Sequence, residues 1–66
     1  MTLDKYKTLA VMDRNDYTQK DVATRAGMSR GNFSTLINGR NAKPGVIEKV
    51  AIALGVEVKD IIKTEE

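Results

Sequence analysis

Residues 18–39 read TQKDVATRAGMSRGNFSTLING, and this stretch decides the fold. Two helix starts stand eleven residues apart, Thr18 and Ser29. Each hydroxyl is suited to accept a hydrogen bond from the first turn of the helix that follows. An apolar residue precedes each cap and another lies five positions further on: Tyr17 with Val22, and Met28 with Phe33. That is the spacing of a hydrophobic staple, repeated. Gly27 falls where the first helix should end and Gly39 where the second should end, and glycine suits the left-handed conformation of many helix termini. Only Gly27, Met28 and Ser29 separate the two helices, and a three-residue turn containing glycine is the mark of a helix-turn-helix.

The second helix of the pair indicates what the unit presents. At about 100° per residue, Phe33, Leu36 and Ile37 form the buried stripe. Gly31, Ser34, Thr35 and Asn38 fall roughly opposite, flanked by Arg30 and Asn32. This outer face carries no acid, whereas a helix held by surface ion pairs would alternate Glu and Lys. Short polar groups and an arginine near the helix start suit base edges in a major groove. Gly31 costs about 1 kcal/mol of helix stability relative to alanine. Two readings stand for it: close approach of the backbone to a ligand, or drift at a tolerant surface position.

Charge is unevenly placed. The chain has 66 residues and a net charge of +2. Residues 1–43 hold eight basic and four acidic side chains, a balance of +4, while residues 44–66 hold three and five, a balance of −2. No acid occurs from Val22 through Ile47, an interval with Arg25, Arg30, Arg40 and Lys43. A basic tract centred on the helix pair is the footprint of a polyanion-binding surface. The plainer alternative is a solvated positive face.

The ordered run Thr18-Gln19, Val22-Ala23, Ala26-Gly27-Met28-Ser29, Phe33-Ser34, Asn38-Gly39, Pro44 and Val50-Ala51-x-Ala53-Leu54-Gly55-Val56 resembles the small Cro/repressor-type proteins of phages and bacteria, the lambda-repressor-like or XRE family. The resemblance spans roughly residues 17–62, and it rests on the order and spacing of pieces that are individually unspecific. It implies an all-α bundle of about five short helices that binds duplex DNA and regulates transcription as a Cro-like repressor, with its third helix in the major groove. Ser29, Arg30, Gly31, Asn32, Ser34 and Thr35 would then face bases. Thr18, Gln19, Asn38, Arg40, Asn41 and Lys43 would face phosphates, which fix register and affinity without reading sequence. Many relatives carry a phosphate-gripping arginine late in helix 1. That position here is Met12, with Arg14 as the alternative source of the contact.

The remaining chain reads in order as follows. Helix 1 is expected over residues 3–14, capped by Thr2, with Leu3, Tyr6, Leu9 and Ala10 on the helical period and Val11 or Met12 extending it. Helix 2 runs from about 19 to 26 with Val22, Ala23 and Ala26 buried; Lys20 and Arg25 face solvent, near phosphate. Helix 3 runs from about 30 to 37 and ends in the turn-forming segment NGRNAKPG. Helix 4 follows Pro44, from about 45 to 54, with Val46, Ile47, Val50, Ala51 and Leu54 inward. A short helix 5 is expected over residues 58–63, and the tail KTEE is expected to fray.

Composition bounds the rest. A 66-residue chain makes one small domain, here residues 1–66, that buries only about 60% of its unfolded surface. With no Cys and no His, neither disulfides nor a zinc site is available. No metal, cofactor or small-molecule substrate is expected. A nucleophile–base pair of the usual kind needs a His, and no phosphate-binding or dinucleotide fingerprint occurs, so an enzyme is not expected. Without a long apolar run or a signal peptide, the expected location is cytoplasmic and off the membrane.

One short recognition helix reads few base pairs. The expected partner is therefore a palindromic operator bound by a homodimer, formed in solution or on the DNA. Val56, Val58, Ile61 and Ile62 are the candidate dimer interface, because they lie in the acidic half and outnumber what a short terminal helix needs. The alternative is that all four complete the core. A rival of another class is a protein-interaction module on the same scaffold, an antirepressor or antitoxin.

Overall fold

The computed structural model describes residues 1–63 and is helical; of the tail KTEE expected to fray, Lys63 is held by its N–H donating to Thr2 O, and residues 64–66 lie outside the described residues. The order is α1 (Lys5–Arg14), α2 (Gln19–Ala26), α3 (Arg30–Ile37) and α4 (Pro44–Leu54), followed by a single 3-10 turn (Val58–Asp60). The expected fifth helix is thus one short turn. Among the described residues no helix is long and apolar enough to cross a membrane.

Helix α2 lies against both α3 and α4, which makes it the centre of the packing. Val22 from α2, Phe33, Leu36 and Ile37 from α3, and Ile47 and Val50 from α4 are all buried to 1% exposure or less. These stripes are the ones the period-3.6 pattern requires, and helices 2, 3 and 4 sit within a residue of their expected limits.

Helix ends follow the same chemistry in turn. Gly27 takes φ +73 and closes α2. Its N–H donates to the Thr24 carbonyl (3.2 Å) and the Met28 N–H to that of Ala23 (2.9 Å). This is the Schellman pair of bonds, and its left-handed residue is best supplied by glycine. Helix α3 ends alike: Gly39 N–H donates to Leu36 and Arg40 N–H to Thr35, both at 3.1 Å. At the end of α1 the left-handed position is filled by Asp16, at φ +60.

Helix α1 departs from expectation. Asp4, and not Thr2, caps it, its carboxylate accepting from Lys7 N–H at 3.0 Å. The buried face is Thr8, Val11 and Met12. Tyr6 is 81% exposed and Ala10 is exposed; Leu9 is half-buried. Leu3 is buried, but from outside the helix, in an isolated antiparallel bridge with Ile62. The physical reason is that residues 8, 11 and 12 also satisfy the i, i+3, i+4 rule. Thr8 can be buried because its hydroxyl donates to the Asp4 carbonyl (2.8 Å), with the Ile61 carbonyl near (3.3 Å).

The first residues form an extended strap. Asp4 N–H donates to Ile61 O (2.7 Å), Lys63 N–H to Thr2 O (3.1 Å) and Ala42 N–H to Met1 O (2.7 Å). The strap therefore ties the segment after the 3-10 turn to the loop between α3 and α4. Ile61 is fully buried beneath it. As a correction to the proposed apolar face, Ile61 belongs to the core of the chain itself. Val56, Val58 and Ile62 are half-buried and pack against that core.

Candidate nucleic-acid interface

Helix α3 starts at Ser29, whose hydroxyl oxygen accepts from Asn32 N–H at 3.1 Å. That bond fixes the first turn and leaves the Ser29 O–H free to donate outward. Stepping about 100° per residue, the buried stripe is opposed by a crest of Gly31, Thr35 and Asn38. Arg30 and Ser34 fall on one flank of the crest, and Asn32 falls on the other. Thr35 donates its hydroxyl to the Asn32 carbonyl and Asn38 its amide to the Ser34 carbonyl, both at 2.8 Å. Both side chains are thereby held close to the helix, with the Thr35 hydroxyl oxygen and the Asn38 Oδ1 still able to accept.

A cleft runs along each flank. One is lined by Thr18, Gln19 and Lys20 from the start of α2 and by Arg30, Gly31 and Ser34 from α3. The other is bordered by the Gly27-Met28 turn, Asn32, Leu36 and Arg40 on the α3 side, and by Val46 and Lys49 from α4. Each cleft has two cations and no carboxylate. Clefts elsewhere differ: one beside α1 includes Asp13, one beside Asn38 includes Asp4, and one on the outer side of α2 includes Asp16 and Asp21.

The start of α2 is fixed by a reciprocal pair of bonds. Asp21 N–H donates to the Thr18 hydroxyl (3.1 Å), and Thr18 N–H donates to the Asp21 carboxylate (2.9 Å). This capping box sets Gln19 and Lys20 at the mouth of the first cleft. The Thr18 backbone bond holds the Asp21 carboxyl below its ordinary value, with the Thr18 side chain, Arg25 and Lys20 acting in the same direction. Asp21 therefore stays ionised in the cap, where its charge is directed at Thr18.

The expected site residues divide into groups. Thr18, Gln19, Arg30, Gly31 and Ser34 meet in the first cleft; Asn32 and Arg40 meet in the second; Thr35 and Asn38 stand on the crest. Asn41 and Lys43 are exposed in the loop and line neither cleft. Asn41 has a further engagement, since its Oδ1 accepts from the Met1 ammonium at 2.6 Å. Its amide N–H groups are the part left for an external acceptor. Met12, where the family resemblance implies a phosphate-gripping arginine in many relatives, is a core side chain, 4% exposed. Arg14 is exposed at the last turn of α1. Arg25 is exposed, with its guanidinium carbon 4.5 Å from the centre of the Tyr17 ring, an attractive cation–π geometry.

Lys49 joins this site from α4. Nothing local marks it: it sits on a helix read as core, and only the packing of α4 beside α3 brings it to the second cleft.

Comparison with solved structures finds the same fold inside larger proteins. A mutant of hydroxyethylphosphonate dioxygenase superposes with a TM-score of 0.84 at 24% identity, over 100% of this chain and 14% of that one. Native PhpD with cadmium, and PhpD with cadmium complexed with hydroxyethylphosphonate, each give 0.82 over the same shares and at the same identity. At that identity the likeness shows the fold alone, and this chain spans only 14% of the length of those proteins. No curated protein matches the chain. The family model of the Cro/C1-type HTH DNA-binding domain matches residues 9–66, which takes in all four helices except the first four residues of α1. The chain belongs to the Cro/C1-type helix-turn-helix DNA-binding family.

Proposed function

We propose that the chain is a sequence-specific transcriptional regulator, a Cro-like repressor without catalytic activity, that inserts α3 into the major groove of an operator. Ser29, Arg30, Gly31, Asn32, Ser34 and Thr35 face the bases. Thr18, Gln19, Asn38, Arg40, Asn41 and Lys43 face the backbone. A homodimer meets a palindromic site with half-sites about 34 Å apart, one helical turn. The observation that carries this reading is the polar crest of α3 between two cation-lined clefts that hold no carboxylate. A cationic margin gives affinity for phosphate, and the crest supplies the donors and acceptors that base edges require.

The test is selection of bound sequences from a random duplex pool, repeated with Arg30→Ala. Wild type should return a palindromic consensus. Arg30→Ala should relax one or two positions of each half-site, since a bidentate arginine–guanine pair discriminates by about 1–3 kcal/mol. A protein-interaction module would show no salt-sensitive retention of DNA and no consensus.

A further inference from the structure

Lys20 and Lys49 lie on different helices, yet each lines one of the two clefts beside α3. Lys20 shares its cleft with Arg30, and Lys49 shares the other with Arg40. We propose that these are two phosphate rails, one for each strand: Lys20 contacts the backbone of one strand and Lys49 the backbone of the other. The inference rests on the DNA reading above and adds to it a residue of α4 and an assignment of strands.

The argument is one of dimensions and sign. An α-helix with its side chains is about 10–12 Å across, and the major groove is about 12 Å wide. A helix seated in the groove therefore fills it from wall to wall, and both walls are phosphate. Whatever stands on the two flanks of the inserted helix faces the two strands. In α3 those flanks are defined by the buried stripe: Arg30 and Ser34 on one side of the crest, Asn32 on the other. The first flank opens on the start of α2 and Lys20, and the second opens on α4 and Lys49.

Electrostatics separates these clefts from the others. Phosphate rails must exclude carboxylates, and both do; the cleft beside α1 contains Asp13, and the one on the outer face of α2, which Lys20 also borders, contains Asp16 and Asp21. The second cleft also has an apolar base of Met28, Leu36 and Val46. Apolar surface beneath a lysine supports its methylene stem while the ammonium reaches outward.

The experiment measures binding to a random-sequence duplex over a range of salt, for wild type, Lys20→Ala, Lys49→Ala and the control Lys59→Ala. Lys59 is exposed, lies in the acidic half and pairs with Glu57 at 3.7 Å. Lys20→Ala and Lys49→Ala should each flatten the log–log salt slope by about 0.9, the value for one phosphate, while Lys59→Ala leaves it unchanged. A duplex selected from the pool is then made with neutral methylphosphonate linkages confined to one half-site, in one strand or the other. The loss of affinity that wild type suffers should shrink in Lys20→Ala for one strand of that half-site and in Lys49→Ala for the opposite strand. Salt-dependent wild-type binding with an unaltered slope in Lys49→Ala overturns the rails and leaves the DNA reading intact. Both lysines reporting the same strand overturns them as well. Wild type that shows no salt-dependent binding removes the DNA reading itself, and the rails with it.

Discussion

Replacing Gly31 by alanine separates the two roles that a glycine on the α3 crest can have. Gly31 lies within the helix without a positive φ, and a Cβ built there meets no atom within 4 Å. The chain itself therefore does not need glycine at this position. In the free protein Gly31→Ala should stabilise by about 0.4–1 kcal/mol, mainly by restricting the unfolded chain. For a domain of this size that raises Tm by about 2–8 °C. DNA binding should move the other way. If the crest rests against base edges, the added methyl has no room and must displace the helix, at a cost of about 1–3 kcal/mol by analogy with overpacked cores. The corresponding loss of affinity is roughly 5- to 150-fold. Thermal circular dichroism gives the first quantity, and anisotropy titration of a selected duplex gives the second. A variant that melts higher and binds as tightly as wild type would refute the close approach, and with it the placement of the crest at the groove floor.

Three further outcomes follow from the geometry. The Asp21 carboxyl is held below its ordinary value, so its contribution to stability is present above the unfolded value of about 3.9 and is lost as pH falls through the lowered folded value. The stability difference between wild type and Asp21→Asn, read from urea titrations, should shrink below pH ~4; a difference that persists unchanged at the acid end assigns it to something other than the charge. Thr8→Val removes the buried hydroxyl but leaves the Asp4 and Ile61 carbonyls bonded to backbone N–H groups, so it should cost about 0.5–1.5 kcal/mol in the same titration; no loss would mean the hydroxyl is not needed there. Ile62→Asp and Val58→Asp should abolish cooperative occupancy of a palindromic duplex while keeping the helical circular-dichroism signal, whereas one copy per site in wild type, on a non-palindromic consensus, defeats the dimer.

The helix pair was legible because its signals are local. Thr18, Ser29, Gly27 and Gly39 act on residues within one turn of themselves, and the structure uses each where the sequence placed it. Helix α1 was harder because two faces fit the same period. Tyr6, Leu9 and Ala10 are the more apolar set; Thr8, Val11 and Met12 are the set that is buried. Which of them is buried depends on how α1 lies against the core, where the Thr8 hydroxyl meets Asp4 O four positions back and Ile61 O from 53 positions away, and no window along the chain contains the second. The same holds for Leu3, which is apolar and buried but belongs to a bridge and not to the helix. The terminal apolar cluster read as a free surface because the strap that covers Ile61 is made by backbone groups, which have no sequence signature. On the site, the residues of α3 could be ordered around the helix from sequence alone. Their division between two clefts could not, since it depends on where α2 and α4 lie.

The strap has a consequence for how the molecule is completed during synthesis. Elsewhere the core joins helices that follow closely in the chain, and such contacts can form as soon as both helices exist. Met1, Thr2 and Asp4 bond instead to Ala42, Lys63 and Ile61. At about 5–20 residues per second, the earliest residues must wait several seconds for their partners to leave the ribosome. The nascent domain is therefore a set of packed helices with an unfastened belt until residues 61–63 emerge and buckle it. A proteolytic cut just before Ile61 would undo the buckle in the finished protein. It would release the strap from residues 61–63, while Met1 stays bonded to the loop at Asn41 and Ala42.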